Sequence, residues 1–547
     1  GDKGRQAVSY IKLQYPRSLS AKDSSHFNLE YESTNNYLKL TDFATGKTNP
    51  YILDFANLQK IQGDVNNGAV EFNRSISASG DLYIYDESDV KSITSSDLTS
   101  VDFMDYDLTL NSDYIIISHS SLASSVGDYK DYRQSSTGGN NKVLIAYTDD
   151  LYNQFYYGQH HPLALKNFTN YLSQEQSEAP KNLLLLGKGY SYNNFHSVNP
   201  KTLEDDLVPT FGYPASDILI TSQPELDDLS PQIATGRVPA QTNEDVLAYL
   251  DKVKLHEQGL NTSRNFIAIT GGIGESEQNL LRSRQNQFYQ IAAQKPFEAN
   301  SMFFNKTDNS GVNTTLTQAI QDSINAGAAV VSFFGHSAAQ VLEVDMGPVT
   351  DWDNKGKYPL FIFNGALVGD VYNDASITED LLLTPEVGAV SVVAHTAFQF
   401  IDPVFNWSKT FFENTFQDNY GEPIGSIVQQ TTNDYQNPSD VFNTETCNQR
   451  NYYGDPAIKI YAPEIKLSVP KNNRVVDNVK VYPNPTKGQV HIEAPIGSNY
   501  VVLNSLGSVV QQTTSADLDL SNEAEGVYFI KCISGNSQST HRIVLTK

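Results

Sequence analysis

The stretch Ala326–Asp370, AGAAVVSFFGHSAAQVLEVDMGPVTDWDNKGKYPLFIFNGALVGD, limits what this chain can fold into more than any other. It holds two short apolar runs, AAVVSFF and YPLFIFN, ended by Gly335 and Gly365. Apolar runs of this length, closed by glycine, suit strands buried on both faces of a parallel sheet. In open α/β sheets, chemistry collects at the carboxyl ends of such strands. His336 then stands where a general base would stand. Ala366 stands at the matching end of the next strand, where a nucleophile is expected.

Those residues carry a resemblance. FFGHS and FIFNGALVGD are similar to the motifs of gingipain-like cysteine peptidases, whose fold is caspase-like. Members carry Gly-His-Gly after one strand and a Cys four residues before an Asp after the next. Here Gly335-His336 and Asp370 match, Ser337 replaces the second glycine, and Ala366 replaces the cysteine, with one residue fewer before it. A methyl group cannot attack a carbonyl, so the chain with Ala366 is not expected to hydrolyse peptides by that route.

The resemblance implies His336 as the base and the N–H groups of Ser337 and Ala366 as oxyanion donors. It also implies an acid that orients the histidine, eleven residues before a Ser-Asp pair. Counting back from Ser216-Asp217 gives Asp206, although Glu204, Asp205 and Asp206 also read as a solvated acidic turn. Asp217 matches the acid that reads a basic substrate side chain in arginine-specific members; a structural Asp capping the following turn is the alternative. The loop after VSVVA would wall the substrate pocket through His395, Phe398 and Phe400, residues that read equally well as core.

The chain has 547 residues, enough for three or four domains, and a formal charge of −25. Clustered Lys and Arg are what phosphates need, so nucleic acid is not an expected partner. No apolar run is long enough to span a membrane. The opening GDKGRQAVSYIKLQYPR has no apolar core, as expected of a mature or trimmed chain. Cys447 and Cys532 lie in segments far apart and are expected as two buried free thiols. The histidines, His160-His161 included, lack metal-ligand spacing. No cofactor is expected, while structural calcium in acidic loops is compatible with the charge.

Residues 1–107 alternate apolar and polar in short segments (FNLEYES, YLKLTDF, AVEFNRSIS, DLYIYDES) between turn residues, which predicts an N-terminal β-sandwich, with strand from Tyr10 to Tyr15 almost at once. From about residue 108, strand and helix patterns alternate, which predicts a mainly parallel sheet wrapped by helices. YIIISHSSL, KVLIAYTDDLYNQF and KNLLLLGKGY read as strands, and HPLALKNFTNYLSQE as a helix. A break near Gly259–Thr262 divides this region into subdomains 108–260 and 261–464, the second containing His336 and Ala366. GDPAIKIYAPE resembles the close of the family's catalytic domain.

Residues 465–479 read as a polar linker, and 480–547 as strands and turns forming a small sandwich. Tyr482-Pro483-Asn484-Pro485, EGVYFIK and the ending Arg542–Lys547 resemble the sorting domain of proteins exported by the type IX secretion system. The resemblance implies secretion or attachment at the cell surface across the outer membrane. Prolines cannot donate to a ladder, so Pro483 and Pro485 belong at an edge or entry strand.

Three functions follow from these readings. The chain is an exported cysteine endopeptidase whose nucleophile has been replaced by Ala366, or a natural pseudopeptidase that binds peptides as a surface scaffold. The third is the type IX sortase, which cuts sorting domains from cargo; the direct succession of peptidase and sorting domain here speaks against it.

Overall fold

Short segments with apolar residues on one face build the first eight strands: β1 Ser20–Ser24, β2 His26–Tyr31, β3 Tyr37–Phe43, β4 Pro50–Asp54, β5 Gln59–Gln62, β6 Asp64–Asn66, β7 Ala69–Asn73 and β8 Gly80–Asp86. In β3 the apolar Leu38 and Leu40 point inward while Tyr37, Lys39 and Thr41 face solvent. The strands form two sheets, ordered β1-β3-β7-β6 and β2-β8-β4-β5. Leu38, Leu40 and Phe72 of one sheet share a core with Ile52, Leu82 and Ile84 of the other, a β-sandwich.

The structure is a computed structural model and describes residues 13, 15–31, 35–74, 80–107, 111–197, 199–222, 229–460, 479–505, 509–534 and 537–547. Residues 465–478 of the expected linker and most of the strand from Tyr10 to Tyr15 lie outside the described residues. The chain divides into two compact units, one within residues 1–109 and 147–168, the other within 110–146 and 169–547.

The site is carried by a ten-stranded sheet. Its strands are β9 Tyr114–Ser118, β10 Val143–Tyr147, β11 Asn182–Leu186, β12 Ala234–Val238, β13 Asn265–Thr270, β14 Asn300–Asn305, β15 Val330–Phe334, β16 Leu360–Asn364, β17 Ser391–His395 and β18 Arg450–Gly454. Their order is β10-β9-β11-β12-β18-β17-β16-β15-β13-β14. β13 to β17 pair in parallel, as do β9, β11 and β12. β18 runs antiparallel to β17 and meets β12 through one pairing, Arg237 with Tyr453.

The apolar runs are buried on both faces. Val331 and Phe333 of β15 and Phe361 and Phe363 of β16 join one core, which also holds Val246, Leu250 and Val253 of the helix Asn243–Glu257. Val330, Phe334, Leu360 and Ile362 join the other, with Leu281 and Phe288 of the helix Gly274–Ala292 and Trp407 and Phe411 of the helix Ile401–Glu413. The closing Gly-Asp-Pro fastens the end of β18 to the helix Ala123–Gln134: buried Asp455 accepts hydrogen bonds from Arg133 Nε at 2.7 Å and the Tyr129 hydroxyl at 2.6 Å.

One local expectation changes, and the sheet holds one strand for which no expectation was stated. Only Val143–Tyr147 of KVLIAYTDDLYNQF is strand; Thr148–Phe155 is a helix, with Asp149 and Asp150 in its first turn, where the helix dipole favours acids. β18, RNYYG, carries no apolar run, yet it sits inside the sheet with all five residues buried.

The C-terminal region has strands β19 Lys480–Tyr482, β20 Gln489–Glu493, β21 Asn499–Leu503, β22 Val509–Thr513, β23 Asp517–Asp519, β24 Gly526–Ser534 and β25 Ser537–Leu545. They form sheets ordered β19-β20-β23 and β22-β21-β24-β25 around a core of Val490, Ile492, Val502, Leu518, Ile530 and Ile543. Pro483 and Pro485 follow the edge strand β19, where no ladder bond is lost. Cys447 and Cys532 are free and buried, and burial pushes the Cys447 thiol up to about 12.

Candidate functional site

β15 and β16 pair in register, Phe334 opposite Asn364. Neighbouring strands lie about 4.8 Å apart, so the residues two places beyond those ends emerge side by side. Those residues are His336 and Ala366. Both line a cavity of about 180 Å3, together with Ser337, Phe398, Phe400 and Glu277. His336 is exposed and Ala366 half-buried.

The turn after β16 is set by close approaches. A Cβ on Gly365 would lie 2.2 Å from Ser337 Oγ and 2.9 Å from the Gly335 carbonyl oxygen, so only glycine fits there. Leu367 adopts φ +64, a left-handed conformation costly for a leucine, and this turns the chain just past Ala366. Ser337 Oγ donates to the Ala366 carbonyl at 2.9 Å and ties the two loops together. The isolated bridge between Ser337 and Leu342 is closed by bonds from the N–H groups of Ala338 and Glu343. Among the described residues, the N–H groups of Ser337 and Ala366 have no protein acceptor.

The acid on the imidazole is Glu277, and sequence reasoning missed it. Both its carboxylate oxygens lie 3.1 Å from His336 Nε2. Glu277 sits in the first turn of the helix Gly274–Ala292 and also accepts the Ile273 N–H, so one carboxylate both closes the helix start and meets the ring. A carboxylate can only accept, so Nε2 carries a proton. The available signal was Gly271-Gly272 at the end of β13, the neighbour of β15, followed by an acid-rich helix start.

A second acid was missed as well. Glu343, 4% exposed, accepts the N–H groups of His336 at 2.8 Å and Gly272 at 2.5 Å through Oε1, while Lys306 Nζ lies 3.4 Å from Oε2. A Cβ on Gly271 would lie 1.7 Å from Glu343 Oε1, and one on Gly335 2.3 Å. Both glycines are therefore required by the carboxylate packed between them.

Three residues expected at the site are placed elsewhere. Asp206 is buried and accepts the Tyr190 N–H at 2.8 Å; the carboxylate on His336 is that of Glu277. Asp217 is 3% exposed and fully engaged: Oδ1 accepts Thr210 Oγ1 and Arg237 Nη2, and Oδ2 accepts Arg237 Nε and the Tyr372 hydroxyl. A carboxylate neutralised by an internal arginine has nothing left for a basic substrate side chain. His395 is sealed in the core, and burial, with Arg450 close by, holds its pKa well below the usual value, so the ring is neutral. None of the three lines the cavity, whereas Phe398 and Phe400 do. Among the described residues, no group of three or more His, Cys, Asp or Glu is placed to hold a metal ion.

A family model described as peptidase family C25 matches residues 107–461, and one described as a secretion system C-terminal sorting domain matches residues 480–546. Comparison with curated proteins gives no match. Among solved structures, the chain is similar to the complex of Porphyromonas gingivalis RgpB pro- and mature domains, with 14% identity, a TM-score of 0.52, and coverage of 79% of this chain and 100% of that one. The Arg specific cysteine proteinase gingipain R (RGPB) gives 14% identity, a TM-score of 0.52, and 80% and 98% coverage. A structure described only as a protease gives 13%, 0.50, and 80% and 97%. At such identities the likeness is one of fold, and that fold is gingipain-like.

The sorting domain marks the chain for export across the outer membrane by the type IX system, and no helix among the described residues is long and apolar enough to cross a membrane. With more than half of its length matched by the family model, the chain belongs to peptidase family C25, the gingipain family of cysteine peptidases.

Proposed function

We propose that residues 107–461 form a caspase-like cysteine-peptidase cleft, of two subdomains, which holds a peptide against His336 and does not cut it while alanine occupies position 366. The observation that carries this reading is the pairing of His336 with Glu277 beside Ala366 and the unclaimed N–H groups of Ser337 and Ala366. The reading assigns His336 as the base, Glu277 as the acid that orients it, and the N–H groups of Ser337 and Ala366 as oxyanion donors.

With a cysteine at 366, Nδ1 of His336 would take the thiol proton and the sulfur would attack the substrate carbonyl carbon. The carbonyl oxygen would become an oxyanion held by the two N–H groups. Collapse would break the C–N bond, His336 would protonate the leaving amine, and water would hydrolyse the thioester. Glu277 would hold the ring's tautomer and stabilise the imidazolium. The sequence calls for no cofactor in these steps.

The pseudopeptidase reading uses the same cleft and differs only in whether alanine is the native residue. Hydrolysis of a mixed peptide library by an Ala366→Cys variant supports the peptidase reading; a folded variant that binds peptides and leaves them intact supports the scaffold. Cleavage confined to sorting-domain sequences would point to the sortase.

A further inference from the structure

We infer that the cleft at Ala366 takes a peptide whose residue before the target bond carries a large apolar side chain, aromatic or branched aliphatic, rather than a basic one. The inference rests on the peptide-binding reading and adds the substrate class.

The side chain of that residue is one bond from the carbonyl it precedes. When the carbonyl oxygen meets the N–H groups of Ser337 and Ala366, the side chain must enter space bordering Ala366. The bordering cavity is walled by Leu281, Phe334, Phe398, Phe400, Ile401 and Val404, all apolar. Phe398 is 74% exposed and Phe400 57% exposed, much for aromatic rings beside a polar catalytic site. Phe400 packs edge-on against Phe442, itself 44% exposed, so the apolar surface continues past the mouth. Covering such rings releases water and favours a ligand side chain of like character.

Beyond the His336 ring and the N–H groups of Ser337 and Ala366, which the peptide carbonyl would meet, the polar side chains lining the cavity are engaged within the protein. Glu277 is on His336. Gln399 donates to Gln449 and accepts from Thr446. Asn364 Oδ1 accepts from Ser408 and Arg450, while Asn364 Nδ2, which has no partner, is sealed from solvent. The nearby Arg284 is spent on Asp402, at 2.6 Å. A lysine or arginine entering here would lose its water and find no carboxylate beyond Glu277, already shared between His336 and the Ile273 N–H, since Asp217 is held by Arg237.

The test uses the full chain, with Ala366 in place so that nothing is consumed. Capped peptides identical except for one residue, Phe or Leu against Arg, Lys or Asp, are titrated by calorimetry. The expected result is binding of the Phe and Leu peptides at least tenfold tighter than the rest, with Phe398→Ser or Phe400→Ser collapsing the difference. Both positions are exposed, so these variants keep the fold. Binding of all peptides alike, or a preference for Arg or Lys, overturns the apolar assignment and leaves peptide binding standing. Absence of binding by every peptide overturns both.

Discussion

The Glu277 carboxylate and the His336 imidazole meet at 3.1 Å although 59 residues separate them in the chain. Each follows a strand, β13 or β15, and these two strands are neighbours in the sheet. The sheet order therefore creates the pair, with no local motif for it. In an Ala366→Cys background, Glu277→Gln should lower kcat by about 100-fold with KM little changed. Equal losses in folding stability and activity would mark Glu277 as a helix cap only.

Glu343 is the brace beneath that pair. Glu343→Ala would leave Lys306 buried without a carboxylate and the N–H groups of His336 and Gly272 without an acceptor. The expected cost is about 3 to 5 kcal/mol in denaturant unfolding, and Glu343→Ala combined with Lys306→Met should recover part of it.

Asp217 separates a substrate pocket from an internal ion pair. Asp217→Ala should destabilise the fold by about 3 to 5 kcal/mol, because Arg237 is fully buried, and Asp217→Asn by less. Any surviving activity in the Ala366→Cys background should keep its side-chain preference. A change in preference without loss of stability would restore Asp217 to the pocket.

These three acids show what the sequence makes legible. Apolar runs such as VVSFF and LFIFN expose their strand character locally, and the glycines after them mark the turns, so His336 and Ala366 could be placed in advance. The partner of a carboxylate is a different matter. Asp217 could be read as substrate-facing because Arg237, twenty residues later on β12, shows its direction only once the sheet is assembled. Glu277 hides among the acids common at any helix start, and Glu343 lies in a loop with no period. β18 escapes notice because its polar residues are satisfied by tertiary partners, among them Arg450 by the Phe363 carbonyl.

Burial pushes the Asp370 carboxyl up to about 6. The folded chain thus keeps this proton over a range in which the unfolded chain has lost it. The stability contributed is complete below pH 4 and is lost as the pH rises through 6, a decline of roughly 2 to 3 kcal/mol. Asp370→Asn should remove that decline, as read from denaturant midpoints between pH 4 and 7. An unchanged slope would place the carboxyl in contact with solvent.

The most direct test of the central claim, that His336 serves position 366, needs no substrate. An Ala366→Cys variant is alkylated with iodoacetamide across pH 4–10; Cys447 and Cys532 are buried and stay silent. A thiol beside a protonated imidazole ionises below about 7.5, against about 8.5 for a free one. The predicted inflection for Cys at 366 lies below about 7 and rises to about 8.5 when His336 is replaced by alanine. An inflection near 8.5 in both proteins would contradict the account.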